Sequence, residues 1–124
     1  MGTIYELFGT NAHDMTISLM EAAGVAGMIP RNAAVALKPN LVVDRAPDSG
    51  ATTHPGVLSG CIEYLQAAGI SRISVIESSW VGDRTDRAMK TCGYDIVCEK
   101  YGVPFYDLKK DKTRSVRTPL RQMG

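Results

Sequence analysis

The chain has 124 residues, 44% apolar and 22% charged, with a formal net charge of +1. These values fit one globular domain with a modest core and argue against a disordered or low-complexity protein. No apolar run approaches the ~20 residues of a membrane helix, and the three cysteines (Cys61, Cys92 and Cys98) lack the spacing of a disulfide framework or of a complete zinc or iron–sulfur motif.

The first candidate element is a short strand over residues 3–7, where Ile4, Tyr5 and Leu7 favour extended structure. Gly9-Thr10-Asn11 breaks it. Asn11 reads as a helix N-cap, with Asp14 near the positive end of the first turn. Met15, Leu19, Ala22, Ala23 and Ala26 follow helical spacing. Gly24 and Gly27 weaken the end of that helix, and Pro30-Arg31-Asn32 turns the chain. Residues 33–37 form an apolar run that reads as a buried strand. It stops on Lys38-Pro39-Asn40, because proline lacks the N–H donor that a central strand needs.

Residues 39–54 form a long connection, and loops of that length inside compact domains usually carry function. Thr53 or His54 then caps a helix, with Pro55 in a first turn that does not need its N–H. Val57, Leu58, Cys61, Ile62 and Leu65 make one apolar stripe; Gly69 suits the position after the helix, with Ile70 as its apolar companion. Ile73, Val75 and Ile76 mark the next strand, over residues 72–77. A strand–helix–strand unit makes its two strands parallel. Glu77-Ser78-Ser79-Trp80 leaves the second strand. Asp83 reads as the cap of a short helix with Asp86 in its first turn, ending near Gly93. Asp95 starts another, which ends at Gly102. Residues 103–106 are a last strand, with Pro104 favouring an edge.

Beyond Leu108 the pattern stops. Residues 109–124 hold six cations and one acid, which leaves eight cations against 12 acids in the rest, a formal −4. The expectation is one α/β domain over residues 1–108 and a basic, solvated or disordered tail over 109–124. The domain reads as a three-layer sandwich, with a small, mostly parallel sheet of about four strands and helices on both faces.

Parallel pairing brings three segments together. Lys38 and Asn40 leave one strand at its carboxyl end, and Glu77, Ser78 and Ser79 leave the second at the same edge. Thr52, Thr53 and His54 start the helix between them. In open α/β sheets that edge is where ligands bind. A lysine beside a helix N-terminus suits an anion, and a glutamate and a histidine could move protons or hold a metal. On this reading Lys38, Asn40, Thr52, Thr53, Ser78 and Ser79 bind a ligand, and His54 and Glu77 are the catalytic candidates. Each also has a plain structural role. Lys38 and Glu77 could form an ion pair. Asn40, Thr52, Thr53 and His54 could cap backbone, as could the serines. Trp80 could be core or lid.

Dinucleotide, phosphate-loop and nucleophile-elbow motifs are absent from the sequence. Gly56 and Gly60 read as a close helix–sheet contact, Cys61 as core. The basic tail lacks interleaved aromatics, so nucleic acid is not the expected partner. The N-terminus shows no basic region with a cleavable signal pattern, and the cysteine usage fits a reducing cytoplasm.

Leu37-Lys38-Pro39-Asn40-Leu41-Val42, Thr52-Thr53-His54-Pro55 and Ile76-Glu77-Ser78-Ser79, followed by Gly93 and by Gly102-Val103-Pro104 to Asp107-Leu108, resemble the opening motifs of domain-of-unknown-function family 362. The resemblance covers residues 33–108. It implies an α/β fold, and an association with ferredoxin-type iron–sulfur modules found in many members. It also implies a second half with a further lysine- and histidine-containing motif, so that another domain or chain completes the site. A sheet edge left without that half would favour self-association. The functional expectation is binding of an anionic small molecule or metal at the strand ends, as part of an enzyme. The alternative is a non-enzymatic module of an iron–sulfur or redox-cofactor assembly.

Overall fold

The computed structural model describes residues 2–41, 44–78 and 84–116. Five helices and three strands follow one another in it: α1 (Ala12–Ala23), α2 (Val25–Met28), β1 (Val35–Leu37), α3 (Pro55–Ala67), β2 (Ile73–Glu77), α4 (Thr85–Thr91), α5 (Tyr94–Tyr101) and β3 (Phe105–Asp107). The strands form one parallel sheet in the order β1-β2-β3. The α/β reading therefore holds, with three strands among the described residues rather than about four.

The fourth expected strand, residues 3–7, has no regular structure. Ile4 is 92% exposed and Phe8 85% exposed. The segment has the side chains of a strand, but no neighbour among the described residues offers it a hydrogen-bonding edge, and β propensity is realised only against such a neighbour.

Helix boundaries follow local chemistry. Asn11 caps α1 by accepting from the Asp14 N–H. His54 caps α3 with its ring, and Pro55 stands first in the helix. At the other end of α3 the N–H of Gly69 reaches Gln66 O and that of Ile70 reaches Leu65 O. Gly69 has φ +85°, the left-handed conformation that closes a helix this way. The N-cap of α4 is Arg84; the expected cap, Asp83, lies outside the described residues.

One apolar cluster holds the domain together. Leu58, Ile62 and Leu65 of α3, Ala88 of α4 and Cys98 of α5 pack with Ile73 and Val75 of the central strand. Ile62 and Val75 are fully buried, each contributing roughly 1.5–3 kcal/mol relative to exposure. Burial along β2 alternates, with Ile73, Val75 and Glu77 buried and Ser74 and Ile76 half-buried. Register places Ala36 beside Ser74 and Tyr106 beside Ile76, and both Ala36 and Tyr106 are exposed. A β1-β2-β3 order advances in one direction, so crossovers of one hand put α3 and the α4–α5 pair on the same face. Among the described residues, no helix is seen to cover Ala36 and Tyr106 on the other face.

Helices α1 and α3 meet through small residues. A Cβ on Gly60 would lie 2.7 Å from His13 O, and one on Gly56 would lie 3.1 Å from Ala12 Cβ. The G-x-x-x-G spacing thus serves a helix–helix seam, not the helix–sheet contact expected of it. The sheet lies against the Leu58–Ile62–Leu65 stripe of α3 instead.

Candidate functional site

Two short polar segments are tied together at the carboxyl edge. The connection after β1 bridges back on itself, with Leu41 and Thr52 as antiparallel partners. The Asn40 N–H donates to Thr53 Oγ1 at 2.9 Å, and the Thr53 N–H donates to Asn40 O at 2.8 Å. Asn40 Nδ2 also reaches Ala51 O at 3.5 Å. Lys38, two residues before this bridge, and His54, one residue after it, are therefore held on one rigid piece of backbone. Thr52 is buried and accepts from Cys92 Sγ at 3.3 Å. Tyr94, fully buried, donates its hydroxyl to Thr53 O from below. Burial raises the Tyr94 phenol far above its ordinary value, with the nearby Cys92 and Glu77 charges adding to the effect.

Glu77 ends β2 with both carboxylate oxygens engaged. Oε2 accepts from Lys38 Nζ at 3.0 Å, and Oε1 accepts from the Ser78 N–H at 2.7 Å. The two partners differ in exposure: the Glu77 side chain is 5% exposed and that of Lys38 60%. The carboxylate is fixed, and the ammonium faces water with two of its three donors left after Glu77. Ser78 contributes its backbone N–H; Ser79 lies outside the described residues, as does Trp80.

His54 is exposed, and its Nδ1 accepts the Gly56 N–H at 2.9 Å. A nitrogen that accepts carries no proton, so the neutral ring bears its proton on Nε2. The ring thus offers an N–H donor to the edge. To bind a metal through Nε2, or to act there as a base, it would have to give up the cap. The cap also occupies the Gly56 N–H, and the Val57 N–H is spent on His54 O. The donors an anion would meet first are therefore the side chains of Lys38 and His54, not backbone N–H groups of the helix start.

Asp107, named above within the family resemblance but not among the candidate site residues, belongs to this edge. It is the register partner of Glu77 on β3, and its Oδ1 accepts from the Lys109 N–H at 3.0 Å. Parallel order alone would have found it, since a polar residue ending a third parallel strand must reach the same edge. A cavity of about 620 Å³ beside β3 reaches Asp107, between Met89, Phe105 and Tyr106. A second, of about 350 Å³, sits at the opposite edge between Pro30, Arg31, Gly69 and Arg72. It is walled by turns and helix carboxyl ends, and it holds none of the candidate residues. Among the described residues, Lys38 and His54 are both exposed and line neither cavity. Among the described residues, no three His, Cys, Asp or Glu side chains are placed to share a metal ion. No described helix is long and apolar enough to cross a membrane.

Beyond the chain itself, the model of a family described as Domain of unknown function (DUF362) matches residues 35–123. The match spans β1 to β3 and every candidate residue from Lys38 to Ser79. No curated protein matches the chain, and no solved structure does.

Proposed function

The chain belongs to the family described as Domain of unknown function (DUF362), and we propose that the carboxyl edge of its sheet binds an anionic small molecule as part of an enzyme. One observation carries this reading. Lys38 and His54 are fixed through the Asn40–Thr53 bridge while their free donors face solvent. A phosphate or carboxylate uses such paired donors better than any neutral ligand. Glu77, already aligned by Ser78 and Lys38, is the group that takes or gives a proton beside the anion. His54 holds the anion as a donor and joins proton transfer only when it leaves its cap. Asn40, Thr52 and Thr53 shape the loop, with Ser78 and Ser79 beyond β2 as further ligand contacts.

Lys38→Ala tests this. NMR-observed titration of the wild-type chain with a panel of phosphate and carboxylate anions should give saturable shifts at residues 38–54 for at least one of them, and the variant should lose them with its fold intact. Equal responses in the two proteins would refute the reading.

A second reading rests on the open sheet face. Parallel sheets are normally covered on both sides, and Ala36 and Tyr106 are exposed here. The domain then acts as a non-enzymatic module in a redox or cofactor-handling assembly. Another domain or chain supplies the missing layer of the expected three-layer sandwich. It predicts a stable partner and no turnover by this chain alone; anaerobic pull-downs that retain nothing would count against it.

A further inference from the structure

A second polar cluster lies in the α1–α3 seam, built from residues outside the carboxyl-edge group. Ser59 Oγ is 2.7 Å from His13 Nδ1, and His13 Nε2 is hydrogen-bonded to the Glu63 carboxylate. A hydroxyl held by an imidazole, itself held by a third group, is the arrangement that activates a nucleophile. An ionised Glu63 carboxylate can only accept, so it fixes the ring proton on Nε2 and leaves the Nδ1 lone pair toward Ser59. The hydroxyl has a competing acceptor, Gly56 O at 3.0 Å. Its single proton serves one or the other, and the reactive arrangement points at His13.

The cluster is also accessible. The His13 and Glu63 side chains are 28% and 48% exposed, so the cluster opens to solvent. The first turn of α1 borders the seam: a Cβ on Gly56, three residues before Ser59, would lie 3.1 Å from His13 N. Asn11 caps that turn by accepting the Asp14 N–H.

We propose that Ser59 is an activated nucleophile toward small acyl esters, with His13 as its base and Glu63 as a positioning residue. Ser59 Oγ bonds to the carbonyl carbon as its proton passes to His13 Nδ1. The ester C–O bond breaks, and the leaving oxygen takes that proton and departs as the alcohol. Water then attacks the acyl group on Ser59, His13 again carrying the proton, and the acid is released with Ser59 restored. One ester and one water give one alcohol and one acid.

The full chain is assayed with p-nitrophenyl acetate and, separately, treated with phenylmethylsulfonyl fluoride and mapped by peptide mass. A sulfonyl adduct on Ser59 is expected in the wild-type protein, a readout that needs no variant to fold. Ser59→Ala should lower hydrolysis about 100-fold, the usual scale for removing such assistance, with an unchanged melting temperature. Glu63→Gln should move the pH–rate profile, which a purely structural residue would not do. An unmodified Ser59, or wild-type hydrolysis by Ser59→Ala, would overturn the assignment.

Discussion

Helix α3 joins two polar clusters that its sequence gives no reason to separate. At its N-cap the chain bears His54, exposed and next to a loop braced by backbone hydrogen bonds. Further along it bears Ser59 and Glu63, one turn apart and both hydrogen-bonded to His13 of α1. The carboxyl-edge cluster is built by strand topology, so its residues are positioned by the sheet, with Lys38 and His54 exposed. The seam cluster is built by glycine-permitted contact between helices, so its side chains are fixed by one another. On the proposed readings, a polar group would serve function in the first case by being left partly unpaired, in the second by the order in which its partners are chained.

The comparison breaks most visibly at Gly60. A Cβ there would meet backbone of His13 at 2.7 Å, which cannot yield as a flexible side chain would. Gly60→Val should cost roughly 1–3 kcal/mol in a urea melt, the usual price of overpacking, and should separate Ser59 from His13 while leaving anion shifts at Lys38 in place. An unchanged midpoint would show that the seam is loose.

The brace under the carboxyl edge has a pH signature. Because burial raises the Tyr94 phenol above its ordinary value of 10.0, the unfolded chain releases that proton first. The folded state then binds more protons, and stability falls as pH rises. The contribution is complete below the ordinary value and declines above it, by up to about 1.4 kcal/mol per pH unit for one proton. Denaturation followed between neutral and strongly alkaline pH should show this slope, and Tyr94→Phe should flatten it.

His54 separates capping from binding. His54→Ala should lose about 1 kcal/mol, as N-cap removals do. His54→Asn should recover that stability, because an asparagine carbonyl can accept the Gly56 N–H, yet it lacks the outward Nε2–H and should still bind anions more weakly. Full recovery of both would reduce His54 to a cap.

How much of this was readable beforehand depends on the kind of contact. The cap at Asn11, the turn at Gly69 and the parallel pair around α3 follow from local sequence pattern, whereas the sequence narrows the α3 cap only to Thr53 or His54, and the structure selects His54. Lys38 and Glu77 are 39 residues apart, yet strand order forces them to one edge, so their meeting was legible as topology. The His13 cluster was not. Its partners lie 46 and 50 residues away, on helices whose relative rotation no motif encodes. The segment at residues 3–7 misled for the opposite reason: its strand propensity is real, but propensity supplies no partner.

The most direct test is a crystal structure of the chain soaked in inorganic phosphate. The account predicts density for the anion against Lys38 Nζ and His54 Nε2, with Glu77 still held by the Ser78 N–H. Phosphate bound elsewhere, with Lys38 engaged only by Glu77 and nothing at His54, would contradict it.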